Sequence, residues 1–172
     1  LCRQAEFLSH HIEWDLRANH LLRDAVGLAW AGRFVRGRRA RRWLDQATRI
    51  ATEQVQEQVL PDGGHFERSP MYHLHVMEDV HSLALLLRNT DARRKLRGVW
   101  IAMAEHLAWM RHPDGLIPLF NDSALQAACE PQQMLHLDGW MDTRLDRTLR
   151  VGGKRFHDTG VVVWHGEPWS VF

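Results

Sequence analysis

The stretch Leu60-Pro61-Asp62-Gly63-Gly64-His65-Phe66-Glu67-Arg68-Ser69-Pro70-Met71-Tyr72-His73 sets the course of the chain on either side of it. Pro61-Asp62-Gly63-Gly64 is turn chemistry that ends any helix running into it, with Gly63 or Gly64 expected at positive φ. Ser69 before Pro70 reads as a helix start, Ser69 as N-cap and Pro70 in the first helical position. The segment therefore separates two helices. The second carries Tyr72, the only tyrosine beside eight tryptophans and six phenylalanines. Where other residue types supply the aromatic bulk, one phenol next to a histidine in a first helical turn points to chemistry before packing.

Outward from this segment, apolar residues recur at helical spacing through most of positions 1–142, so the protein is mainly α. Phe7, Leu8, His11 and Ile12 suggest a first helix. A second over 16–35 has Leu21, Leu22, Ala25, Leu28 and Ala29 on its stripe and Gly37 as its stop. Trp43, Leu44, Ala47, Ile50, Ala51 and Val55 mark a third, which ends at Pro61. The fourth runs from Ser69 to about Arg88 along Met71, Leu74, Met77, Val80, Ala84 and Leu87. A fifth runs from about Ala92 to Met110, stopped by His112-Pro113-Asp114-Gly115. Trp14, Trp30, Trp43, Trp100 and Trp109 read as mostly core.

The period then changes. Val161-Val162-Val163-Trp164 and Trp169-Ser170-Val171-Phe172, parted by Gly166-Glu167, read as a hairpin. One hairpin alone is marginal in water. The expected organisation is a helical domain over 1–148 and the first strands of a β domain over 149–172, with partners in sequence beyond Phe172. A chain that starts without Met in a helical pattern and stops in a strand pattern reads as an excerpt of a longer protein.

Composition limits the function classes. With 172 residues, 45% hydrophobic and 25% charged, the chain can bury a sizeable core. A net charge of +1 provides no global field for nucleic acid or a membrane surface, and no apolar run approaches the ~20 residues that span a bilayer. Arg33, Arg36, Arg38, Arg39, Arg41 and Arg42 form a basic cluster suited to carboxylate or sulfate groups, although such a run reads first as a solvated loop and helix start. Cys2 and Cys129 define neither a disulfide framework nor a zinc pattern. Twelve histidines and Glu78-Asp79-Val80-His81, which sets a carboxylate and an imidazole on one helical face, raise a helical metal-binding protein as an alternative. That architecture needs a second such motif, and the sequence has none.

Asn19-His20, early in the second helix, and Tyr72-His73, in the first turn of the fourth, both lie where free backbone N–H groups and the helix dipole favour an anion. Asn donates to a carboxylate without adding charge, and an adjacent His orients it or protonates. A tyrosine serves readily as general acid, and as base when cations lower its ordinary pKa of about 10. Arg68, His65 and His73 are the expected sources of those cations.

Asn19-His20-Leu21-Leu22, the segment from Gln58 to His73, Asp114-Gly115 and Phe120-Asn121-Asp122 together resemble the heparinase II/III-like polysaccharide lyases, which have alginate lyases as relatives. The resemblance covers nearly the whole chain. Asp158-Thr159-Gly160 stands where the family's β-sandwich begins, usually with Ser in place of Thr159. The resemblance implies part of an incomplete α/α toroid, the C-terminal part, followed by the start of an antiparallel β-sandwich. It also implies β-elimination on an acidic, uronate-containing polysaccharide and a periplasmic or secreted bacterial location. Asn19 would hold the uronate carboxylate, His20 would support it, and Tyr72 with His73 would move protons. Within this chain it implies no cofactor and no metal. A structural divalent metal and a second proton-transfer residue would lie in the β domain beyond Phe172.

His65 and Arg68 are further substrate-binding candidates, and Trp14 is a candidate for stacking on a sugar. Glu67 and Arg68 are also expected to pin their loop by an ion pair. Asn19 and Tyr72 should meet in one cleft with His73 and His20. The alternative is a non-catalytic module that grips an acidic glycan through the Arg33 to Arg42 cluster and cleaves nothing.

Overall fold

The computed structural model describes residues 1–141, 150–166 and 170–171. Five long helices lead: α1 (Cys2–His10), α2 (Ala18–Phe34), α3 (Arg38–Gln58), α4 (Pro70–Leu86) and α5 (Thr90–Met110). A short α6 (Pro131–Leu135) and a 3-10 turn (His136–Met141) follow, then strands β1 (Gly152–Phe156), β2 (Val161–His165) and β3 (Ser170–Val171). The fold is mainly α with a small antiparallel sheet, as expected. Trp169 and Phe172, assigned to the second hairpin strand, lie outside the described residues.

Contacts divide the chain into two compact units, Leu1–Glu57 with Asp79–Gly98, and Gln58–Glu78 with Val99–Phe172. In the first, Leu21, Leu22, Ala25, Leu28 and Ala29 of α2 are buried, as are Trp43, Ala47, Ile50 and Ala51 of α3. These are the stripes that the helical spacing marks. The helix α2 begins at Ala18 rather than position 16, because residues 14–16 form a turn in which the N–H groups of Leu16 and Arg17 both donate to the Glu13 carbonyl. Trp43 and Trp100 are core residues, but Trp14 (45% exposed) and Trp30 (57%) are not. Helical spacing marks a stripe and does not decide which bulky residue at its margin stays wet.

In the second unit the sheet order is β1-β2-β3, with Gly152 opposite His165 through to Phe156 opposite Val161. The strand β1, Gly-Gly-Lys-Arg-Phe, escapes sequence reading because it has no β-branched residue and two glycines. Pairing with the valine-rich β2 makes it a strand. Phe156 and Val163 pack with Met110 at the end of α5, flanked by Trp109, Phe120 and Val161. The other face leaves Val162 and Trp164 each about half exposed.

The Pro61 turn is tied at both ends. Val59 and His65 form an antiparallel bridge, and Gly63 has φ 82. A Cβ on Gly63 would run into the Ala102 carbonyl, and one on Gly64 into Thr159 and His106. Gly63→Ala, strained in both φ and space, should destabilise the second unit by about 2 kcal/mol or more, read as a lower urea midpoint in the full-length protein. An unchanged midpoint would show that this turn relaxes freely.

Candidate active site

In the first unit, Asn19 and His20 occupy the first turn of α2, directly after Arg17 (φ 60) and Ala18 (φ 51). Arg17 has ψ -157, and two consecutive positive-φ residues without glycine cost about 1–3 kcal/mol each, so the entry to this helix is held against its own preference. Asn19 is half-buried. His20 is exposed, and its Nδ1 lies 2.9 Å from the Glu13 carboxylate. Trp14 presents its ring to the Arg49 guanidinium, 5.8 Å from the ring centre. Asp24 anchors the same turn by accepting the Glu13 N–H at 2.9 Å.

In the second unit, α4 starts as its sequence dictates. The Ser69 hydroxyl takes the Tyr72 N–H at 3.4 Å and lies 3.0 Å from the Ser123 hydroxyl, which accepts the Met71 N–H at 3.2 Å. Tyr72 is half-buried, and its ring neighbour is His75, 6.1 Å away, one helical turn on. His75 in turn faces Glu78 at 3.8 Å. His73 points elsewhere, since consecutive helical residues diverge by about 100°. It is buried, contacts the Met103 carbonyl through Nε2 at 3.0 Å, and stacks on His106 at 5.3 Å. Donation from Nε2 leaves Nδ1 as the unprotonated nitrogen. His75 was within reach of sequence reading through its i,i+3 spacing. His106, thirty-three positions beyond His73, carried no such signal.

Asp62, which the sequence presents only as a turn residue, is the most heavily bonded carboxylate described. One oxygen accepts the Gly64 N–H at 3.1 Å; the other takes the N–H groups of Asp158 (2.9 Å) and Thr159 (2.7 Å) and the Thr159 hydroxyl (3.0 Å). Burial raises its pKa, but those donors outweigh burial and hold it below the usual carboxylate range. Asp158-Thr159-Gly160, which the resemblance puts at the start of the β-sandwich and which here joins β1 to β2, is thus latched to the Pro61 turn. The Asp62 carbonyl also meets His106 Nδ1 at 3.2 Å.

His65, Arg68, Ser69, His73, His106 and Thr159 border a small cavity of about 20 Å³, room for one water. Burial drives His65 down to about 4 and His73 well below 6.5, and lowers His106, so all three are neutral at pH 7. This corrects the expectation that His65 and His73 supply cations to Tyr72. A buried imidazole gives up its proton rather than its place in the core. Arg68 is the permanent charge bordering this cavity. It stands at φ 57, and its loop is pinned through the backbone, with the Asn121 amide donating to the carbonyls of Arg68 (2.7 Å) and Glu67 (3.4 Å).

The arginines from Arg33 to Arg42 are all exposed, as a solvated helix start would be. Cys129 has its thiol pushed up to about 12 by burial and by Glu78 beside it. Among the described residues no group of three or more His, Cys, Asp or Glu side chains is placed to hold a metal ion, and no helix is long and apolar enough to cross a membrane.

Residues 1–143 match the family model of the heparinase II/III N-terminus, and the chain belongs to that family. A heparin-sulfate lyase of Bacteroides thetaiotaomicron is 29% identical over 132 residues, which are 70% of this chain and 19% of that protein. Among solved structures, heparinase III superposes with TM-score 0.67 at 24% identity over 82% of this chain and 23% of its own. The heparan sulfate lyase HepC from Pedobacter heparinus gives 0.68 at 20% identity over 94% of this chain and 28% of its own. At those identities the structural likeness establishes the fold, that of the α/α-toroid lyases. The chain spans between 19% and 28% of the length of these relatives.

Proposed function

We propose that the protein containing this chain is a polysaccharide lyase that cleaves a heparan-like, uronate-containing glycan by β-elimination. Removing the proton from the carbon beside the carboxylate builds enolate-like charge, the bond to the glycosidic oxygen breaks, and that oxygen leaves with a proton. Tyr72 carries the proton transfer, while His73, a neutral imidazole buried against the Met103 carbonyl and His106, faces away from the phenol and takes no part in that step. Asn19 donates to the uronate carboxylate as its charge grows, and His20 supports Asn19. The carrying observation is Tyr72 itself, the sole phenol, half-buried on the first turn of an N-capped helix within the family-matched segment. The strands after residue 150 open the β-sandwich in which the partner residues lie.

The test is the rise in ultraviolet absorbance from the unsaturated uronate product, with the full-length protein offered heparan-like, alginate-like and bacterial exopolysaccharide substrates. Product from the heparan-like polymer alone is the expected result. Product from alginate or exopolysaccharide instead would keep the lyase chemistry and change the substrate. Binding without product from any polymer would establish the alternative, a glycan-gripping module.

A further inference from the structure

We propose that Asn121 is a positioning residue for the reaction above: it locks Arg68 in a left-handed conformation that aims its guanidinium at an anionic group, carboxylate or sulfate, of the bound glycan. The inference rests on the lyase reading and adds a residue that reading does not use. Arg68 has φ 57, a conformation that glycine adopts freely and a long L side chain resists. A residue serving only as a turn would be most stable as glycine there. An arginine in that place is explained by its side chain, which borders the cavity with His65, His73, His106 and Thr159. Because burial holds those three histidines neutral, attraction for an anionic group lying outside the rim of this one-water cavity falls to the exposed Arg68.

Hydrogen bonds on both sides hold Arg68 there. Its N–H donates to the His65 carbonyl at 3.0 Å, closing the turn from one side. From the other, the Asn121 amide donates to the Arg68 carbonyl at 2.7 Å and reaches the Glu67 carbonyl at 3.4 Å. Asn121 is itself left-handed, at φ 53, a conformation asparagine tolerates better than most residues. Two residues further, Ser123 joins Ser69 in capping the turn that carries Tyr72. The 121–123 segment thus sets both the carbonyl behind the arginine and the helix entry beside it, and the Asn121 amide makes its hydrogen bonds to backbone carbonyls. Its effect on catalysis passes through Arg68.

Asn121→Gly removes the amide and leaves the backbone at 121 at ease. In the full-length protein this variant should keep the wild-type melting temperature within a few degrees while raising KM for the glycan roughly tenfold, with kcat changed far less, the signature of a lost binding contact. Arg68→Gly should raise KM at least as much. The Asn121→Gly/Arg68→Gly double variant should be no worse than Arg68→Gly alone, since nothing remains to aim. Additive losses in the double variant, or an Asn121→Gly enzyme with wild-type KM, would overturn the positioning role and leave the lyase reading standing. Should Asn121→Gly prove unstable, Asn121→Asp, similar in size and in left-handed tolerance but without the donor, takes its place. A wild-type protein that forms no product overturns the lyase reading, and the positioning role with it.

Discussion

Tyr72→Phe in the full-length protein should lower the rate of uronate elimination by on the order of 10²-fold or more, the usual scale for losing a positioned general acid or base. The change deletes one hydroxyl from a half-buried ring on the first turn of α4 and leaves the Ser69 cap and the backbone untouched. Melting temperature and KM should therefore stay close to wild type. The loss belongs in kcat and kcat/KM together, because the hydroxyl acts as the proton moves rather than in ground-state binding. His75, the aromatic neighbour at 6.1 Å, and not His73, is the group whose substitution should couple to Tyr72 in a double-mutant cycle. A Tyr72→Phe enzyme with normal turnover would make the only tyrosine a packing residue.

Acid should weaken the second unit well above the pH at which carboxylates titrate. His65, His73 and His106 are held neutral in the folded state, chiefly by burial, whereas unfolded histidines take up a proton near pH 6.5. Below that pH the unfolded chain binds more protons than the folded one, and stability falls with pH. The contribution is complete above 6.5 and is lost as pH drops toward the folded values, about 4 for His65. His65 alone accounts for about 3 kcal/mol across that range, and His73 and His106 add in the same direction. Asp62, lowered from 3.8, adds a further loss only as pH falls below that value. Thermal melts from pH 7.5 to 4.5 should show a steep fall in midpoint, lessened in a His65→Gln variant. A flat profile would mean that these imidazoles reach solvent when charged.

Several parts of the site were legible from residue types alone. Ser69-Pro70 states a helix start wherever the chain lies, because a cap and a fixed proline φ are local. Gly63 at positive φ follows from the turn run, and the helical stripes follow from periodicity. Asn19 and Tyr72 were locatable in first helical turns for the same reason. The charge state of the histidines was not. Whether His73 is a cation depends on Met103 and His106, packed against it from a helix some thirty residues away, and no local pattern encodes that burial.

By itself, then, the sequence determined the five long helices and their order, the turn between α3 and α4, the late change to strands, and the family to which residues 1–143 belong. These rest on interactions within a few residues, where spacing and residue type suffice. Only the tertiary structure decided that Asp62 latches Thr159 across 97 positions, that Gly152 to Phe156 become a strand by pairing with β2, and that Tyr72 and His73 face different surroundings. It likewise decided that Asn121 stands behind Arg68. Each of these depends on which distant groups share a desolvated neighbourhood, where hydrogen-bond donors must find acceptors and imidazoles must lose their charge.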